Sequence, residues 1–197
     1  MKILRRKNND IRRIIKNKGF MNLNELRDKA YKIACEHGFH DKEYSDKHWL
    51  MFVITELSEV VEADRKDRYF DDIYTLDNFY KAVDEKDFST AFEEYIKDTV
   101  SDEIADAVIR LLDLAGLRGI ELHYTPCTDL CMDNLVTFCY TTCGLITSKE
   151  FNLDTKINTS INSIVSLCQE YFIDLEWHIE QKMNYNSLRP YKHGKEY

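Results

Sequence analysis

At 197 residues, 44% apolar and 31% charged, the chain has the balance of one globular domain able to bury a core of its own. Six glycines and two prolines over that length point to long helices with few tight turns. The net charge of −8 is divided: residues 1–20 carry eight Lys and Arg against one Asp, so the rest is an acidic body that repels nucleic acid unless the arm alone makes the contact.

Residues 1–20, MKILRRKNNDIRRIIKNKGF, read as a basic, loosely attached arm with a short helical stripe through Ile11, Ile14 and Ile15. No aromatic side chains interleave with its charges, which disfavours a nucleic-acid arm, and it lacks the apolar segment of a signal peptide. No run elsewhere approaches a membrane span, so the expectation is a cytoplasmic protein without a membrane partner. Asn22 with Glu25 forms a capping box, and Leu23, Leu26, Ala30, Ile33 and Ala34 repeat at helical spacing to His37, with Gly38 as the stop. His37, His40 and His48 surround the loop that follows. Their spacing matches no compact metal-ligand pattern, so surface and capping roles are expected, with Lys47 and His48 better placed to touch a nucleotide.

Ser45 is the N-cap of a helix from about Asp46 to Arg65. Leu50, Val53, Leu57 and Val60 make its core stripe, while Trp49, Phe52, Glu56 and Glu59 share another face. Trp49 reads either as core or as a stacking platform for a base. Residues 65–98 form an insertion too aromatic for a disordered linker, and one or two short helices are expected there, capping the site or a dimer interface. Thr99, with Asp102 three positions on, opens the next helix, which carries Ile104, Val108, Leu111 and Ala115 on one side and is expected to stop near Gly116. Glu103, Asp106, Arg110 and Asp113 lie off that stripe.

Between Ile120 and Ser148, Cys127 and Cys131, then Cys139 and Cys143, form two C-x-x-x-C pairs. Their spacers do not suit a zinc ribbon or knuckle, so they read as core thiols, as do Cys35 and Cys168 on apolar stripes. One last long helix is expected from near Asp154 through Ile157, Ile161, Ile164, Cys168, Phe172, Leu175 and Ile179, a stripe long enough for a bundle or dimer seam. Pro190 ends it, leaving residues 184–197 as a basic tail. Lys182, just before it, and Asn186, Arg189 and Lys192 within it suit phosphate contact.

Two helices thus each offer a carboxylate pair three residues apart. Packed antiparallel they could gather Glu56, Glu59, Glu103 and Asp106, which would repel one another unless cations neutralise them. Oxygen-only ligands select hard cations, Mg²⁺ first and Mn²⁺ after it. Either pair alone is equally a solvated helix face.

The residues TELSEVVEA, with Glu56 and Glu59, followed by DEIADAVIRLLDLA, with Glu103 and Asp106, resemble the signature of the MazG-like all-α nucleoside triphosphate pyrophosphohydrolases, a superfamily that includes dimeric dUTPases and dCTP pyrophosphatases. The resemblance covers residues 49–64 and 99–119 and, in part, the C-terminal end; the gap between the acidic pairs is longer than the family usually has. It implies a single-domain, all-α bundle of four to five main helices that assembles as a homodimer or homotetramer. The same resemblance implies Mg²⁺ held by the four acids, which are also the catalytic residues, and conversion of an NTP or dNTP to the monophosphate and pyrophosphate. Trp49, Lys182, Asn186, Arg189 and Lys192 are the expected substrate-binding residues. Two rival readings come from other classes. A ferritin-like di-iron bundle needs E-x-x-H motifs that neither Glu56 nor Glu103 begins. A non-catalytic helical nucleotide-binding or adaptor protein would keep the bundle and lose the chemistry.

Overall fold

The computed structural model describes residues 21–70, 74–125 and 134–194, and over these residues the chain is an all-α bundle. The basic arm, Cys127 and Cys131 lie outside them. The elements are α1 (Leu23–Glu36), α2 (Asp46–Arg65), α3 (Tyr74–Glu85), α4 (Phe88–Tyr95), α5 (Val100–Arg118), α6 (Leu135–Thr147), α7 (Leu153–Tyr171) and α8 (Leu175–Leu188), with a 3₁₀ turn over Tyr191–Gly194. Side-chain caps set the starts. The Asn22, Ser45 and Thr99 oxygens accept from backbone N–H groups three residues on, and Asp87, Asn134, Asn152 and Asp174 do the same for α4, α6, α7 and α8.

The core is organised on α5, which is buried on nearly all sides and packs most extensively against α2. Three contacts fix these two as antiparallel. Arg118 Nε donates to Asp46 Oδ1 at one end (2.7 Å), Arg110 Nε to Glu56 Oε1 in the middle (3.1 Å), and the Val100 N–H to the Arg68 carbonyl at the other (2.9 Å). Val53, Leu57 and Val60 of α2 meet Ile104, Val108 and Leu111 of α5 within one apolar cluster. α1, α7 and α8 pack around α5, and α6 lies against α2 and α7.

Three expectations are corrected. α5 does not stop at Gly116 but runs to Arg118, and Gly119, in the left-handed region at φ 63°, ends it. Gly116 instead lets α1 approach, for a Cβ there would stand 2.5 Å from the Cβ of Tyr31. The expected single helix from Asp154 to Ile179 is broken: Phe172 takes φ 57°, and Asp174 caps a new helix. No glycine or proline marks the break. The Ile173 N–H closes it by donating to the Cys168 carbonyl at 2.8 Å. Ile157, Ile161, Ile164, Cys168 and Ile179 are all buried by the chain itself, so this stripe leaves no seam for a partner. Finally, Cys35 is exposed rather than structural, while Cys168 is buried as expected.

The insertion holds two helices, α3 and α4, with a core of their own. Phe79, Phe92 and Ile96 pack with Phe70 and with Tyr185 of α8. No helix among the described residues is long and apolar enough to cross a membrane.

The two helical glycines allow a direct comparison of packing with propensity. At Gly144 in α6 an added Cβ meets nothing, so Gly144→Ala should raise the unfolding free energy by up to about 1 kcal/mol through helix propensity alone. Gly116→Ala should lower it by about 1 to 3 kcal/mol, because the α1–α5 approach must open. Urea unfolding of both variants checks the pair; equal shifts would show that α1 does not press on Gly116.

Candidate metal centre

The antiparallel register brings the C-terminal half of α2, from Glu56 onward, alongside the first two turns of α5, which carry Glu103 and Asp106. Oxygens of Glu56, Glu103 and Asp106 there lie within 4.8 Å of one another. Two carboxylates at that separation repel by roughly 3 kcal/mol even at an effective dielectric of 20. Glu56 and Glu103 are buried, at 6% and 4% exposure, and Asp106 is half-buried. Glu59, one turn along α2, is exposed and stands outside the tight triad, yet its charge acts on both Glu56 and Glu103.

Two cations reach in. Lys182, buried on α8, donates to Asp102 Oδ2 at 2.9 Å and lies 3.2 Å from Asp106 Oδ2. Arg110, on the same line of α5 as Asp106, takes Glu56 and lays its guanidinium 5.7 Å from the centre of the Phe52 ring. The Glu103 carboxylate makes no hydrogen bond or ion pair among the described residues. Five acids, counting Asp102 and Glu59, therefore face two bases.

The titration behaviour follows from this imbalance. Burial and then Asp106 push Glu56 up to about 7, against the pull of Arg110. Burial and then Asp102 push Glu103 up to about 9, against Lys182. Asp102, 1% exposed, is raised by burial to about 6 but is held below neutrality by Lys182. Burial works against the Lys182 ammonium, and Asp106, Asp102 and Glu103 outweigh it, so the lysine stays charged above its ordinary range. Without a further cation the site keeps protons at neutral pH. The donor set, carboxylate oxygens alone, fits a hard divalent ion and does not name which one.

The other expected site residues are placed as follows. Asn186 lies one turn beyond Lys182 on the same face of α8, nearly buried, its carboxamide making no hydrogen bond among the described residues. Tyr185 stacks on Phe92 of the insertion at 4.4 Å, and Lys182 sits 5.7 Å from the same Phe92 ring, so the insertion does wall the site. Arg189 ends α8 with its guanidinium 5.8 Å from the Tyr185 ring. Its carbonyl accepts from His37 Nε2 at 3.1 Å. Lys192 is drawn away to the loop after α1, its N–H donating to the His37 carbonyl at 2.9 Å. Tyr191 rests on Gly38 and donates to Asp41, so the tail is strapped to that loop. Trp49 is buried in a nest of His40, Tyr44, His48 and Phe52 rings, two turns from Glu56; a base could stack on it only if the nest opened.

Two features were not read from sequence. Asp102 accepts the Asp98 N–H at 3.0 Å, as its cap reading requires, and the same oxygen is also the buried anchor of Lys182, which the sequence did not show. His40 Nε2 donates to Asp113 Oδ1 at 2.7 Å across 73 residues, a pairing with no local signal. Comparisons with family models, with curated proteins and with solved structures find no match for the chain.

Above pH 7 the folded chain holds protons on Glu103, and in part on Glu56, that unfolded glutamates with an ordinary value of 4.5 have already lost. Stability of the metal-free protein should therefore fall as pH rises from 7 to 9. Buried His178, which favours its neutral form, acts only below its ordinary 6.5 and lies outside this window. Thermal unfolding at pH 7, 8 and 9 should show a falling Tm, flattened in Glu103→Gln. A flat profile in the wild-type chain would mean the two glutamates are ionised in the folded state throughout.

Proposed function

We propose that the chain is a Mg²⁺-dependent nucleoside triphosphate pyrophosphohydrolase of the MazG-like kind, converting an NTP or dNTP to the monophosphate and pyrophosphate. The observation that carries the reading is the gathering of Glu56, Glu103 and Asp106 within 4.8 Å at the α2–α5 seam, from the two segments that resemble the family signature. In this reading Glu56, Glu103 and Asp106 hold Mg²⁺, which when bound draws phosphate oxygens in and spreads the charge that develops on them. Glu59, exposed beside the triad, binds and orients the attacking water and receives its proton. Water oxygen bonds to phosphorus as the bond to the bridging oxygen breaks, and pyrophosphate departs with that electron pair. Asp102 pins the Lys182 ammonium beside Asp106, where it meets phosphate charge, and Asn186 donates to a phosphate or ribose oxygen. Arg189 supplies a second cation from the end of α8.

A second reading has its own observation. Lys182 and Arg110 already contact Asp102, Asp106 and Glu56, so the acids could be structural and the protein a non-catalytic helical adaptor.

A panel of NTPs and dNTPs with Mg²⁺, scored for pyrophosphate release, separates the two. Turnover of at least one nucleotide is expected. Glu56→Gln, Glu59→Gln, Glu103→Gln and Asp106→Asn should each reduce it by about two orders of magnitude or more, roughly 3 kcal/mol of transition-state stabilisation, with the helical circular dichroism intact. If two of the four keep near-full activity, the metal assignment is wrong; if the wild-type chain turns over none of the panel, the adaptor reading stands.

Truncation after Met183 removes Asn186, Arg189 and the strap together. It should raise KM and lower kcat at once, since these groups hold phosphate both in the ground state and as pyrophosphate leaves. Arg189→Lys in the full chain should lose only part of that. A truncated protein with unchanged kinetics would exclude the tail from the site.

A further inference from the structure

The loop between α1 and α2, residues 37–45, joins two parts of the molecule. It roofs Trp49: the His40 ring stands 5.0 Å and the Tyr44 ring 5.7 Å from the indole, and His40 is pinned there by Asp113. It is also gripped by the C-terminal tail. The Lys192 N–H donates to the His37 carbonyl at 2.9 Å, and His37 Nε2 donates to the Arg189 carbonyl at 3.1 Å. Between these bonds the Tyr191 ring fills the hollow that Gly38 leaves, where a Cβ would stand 2.1 Å from Tyr191 Cε2, and the Tyr191 hydroxyl donates to Asp41. Tyr191 therefore holds the loop on both sides of His40. Lys192 takes φ 48°, a backbone that a non-glycine residue keeps only where its surroundings hold it.

The roof closes over groups that it leaves unsatisfied. Trp49 Nε1 and His40 Nδ1 are both buried, and neither has a hydrogen-bond partner among the described residues. An indole N–H can only donate, and burying it without an acceptor costs the desolvation of that group. Opening the loop would hydrate both atoms, a gain that works against the closed state. The bonds that resist opening lie at the edge of the molecule. The Tyr191 ring is 59% exposed, so the tail is seated by hydrogen bonds and one small hollow rather than by apolar burial, and it can lift without disturbing the bundle core.

We infer that the tail, residues 189–194, is a latch on this loop: seated on Gly38 it keeps the roof over Trp49 shut, and lifted it lets the loop open and expose the indole. The far end of the loop is anchored by the Ser45 cap of α2, so a movement begun at Gly38 and Asp41 is passed directly to His40 and Tyr44. The tail begins at Arg189, whose guanidinium lies 5.8 Å from the Tyr185 ring, so one segment touches both the Trp49 nest and the side of α8 that carries Lys182. The inference is independent of the proposed chemistry, because exposure of Trp49 is read directly.

Hydrogen exchange of the indole N–H groups, followed by ¹H–¹⁵N NMR on the full chain, reads the nest by itself. The chain has two tryptophans, and Trp177, whose Nε1 donates to the Tyr80 hydroxyl on the insertion side, is the internal reference. Tyr191→Phe and Asp41→Ala each remove the same bond to a charged group, so each should speed exchange at Trp49 about tenfold and leave Trp177 unchanged. The double variant should be no faster than either single one, since the two residues share that bond. Tyr191→Ala, which also empties the Gly38 hollow, should be faster still. An unchanged Trp49 rate in Tyr191→Ala overturns the latch. Equal acceleration at Trp49 and Trp177, which is general loosening, overturns it too, as does a double variant whose effect is the sum of the two.

Discussion

The rest of the structure depends on one electrostatic constraint: carboxylates from two antiparallel helices meet in a seam where water has little access. Repulsion of roughly 3 kcal/mol per close pair is too large to leave uncompensated in a domain whose whole stability is of the order of 10 kcal/mol. Compensation comes in three parts. Arg110 answers Glu56 from within α5, Lys182 answers Asp102 and Asp106 from α8, and protons stay on Glu103 and, in part, Glu56. Of these only the protons can leave readily, so they are what a bound cation would displace.

Bringing Lys182 to that seam explains the shape of the C-terminal third. Had the helix begun at Leu153 run on unbroken, it would have kept its single direction past Phe172. The turn at Phe172 and Asp174 starts α8 afresh, and α8 then travels along α5 with Lys182, Tyr185, Asn186 and Arg189 on one side. The insertion serves the same end. Its Phe92 lies against both Lys182 and Tyr185, and Tyr185 donates to Glu93 Oε1 at 2.6 Å, which closes the lysine off from water.

What could be read from sequence was what is local. Asn22, Ser45 and Thr99 announced their helices because a cap is a contact between residues three apart. Glu56 with Glu59, and Glu103 with Asp106, were visible as pairs because helical period puts such spacings on one side. The break after Tyr171 was not legible: no residue of FIDL forbids a helix, and Phe172 takes its left-handed conformation for the tertiary structure rather than for local preference. Gly116 and Gly119 read alike in sequence, and only the proximity of Tyr31 separates a packing glycine from a terminating one. The cap role of Asp102 was legible because it is local, but its second partner, Lys182, is eighty positions away, and the His40–Asp113 pair was hidden for the same reason.

The central claim is that the buried acids of the α2–α5 seam exchange protons for a divalent cation. Isothermal titration of Mg²⁺ into the nucleotide-free chain at pH 7, repeated in two buffers of different ionisation enthalpy, measures both the binding and the protons it releases. The account predicts saturable binding with release of roughly one to two protons per chain, because Glu103 and the protonated part of Glu56 must ionise to become ligands. Binding with no difference between the buffers, or no binding at all, would contradict it.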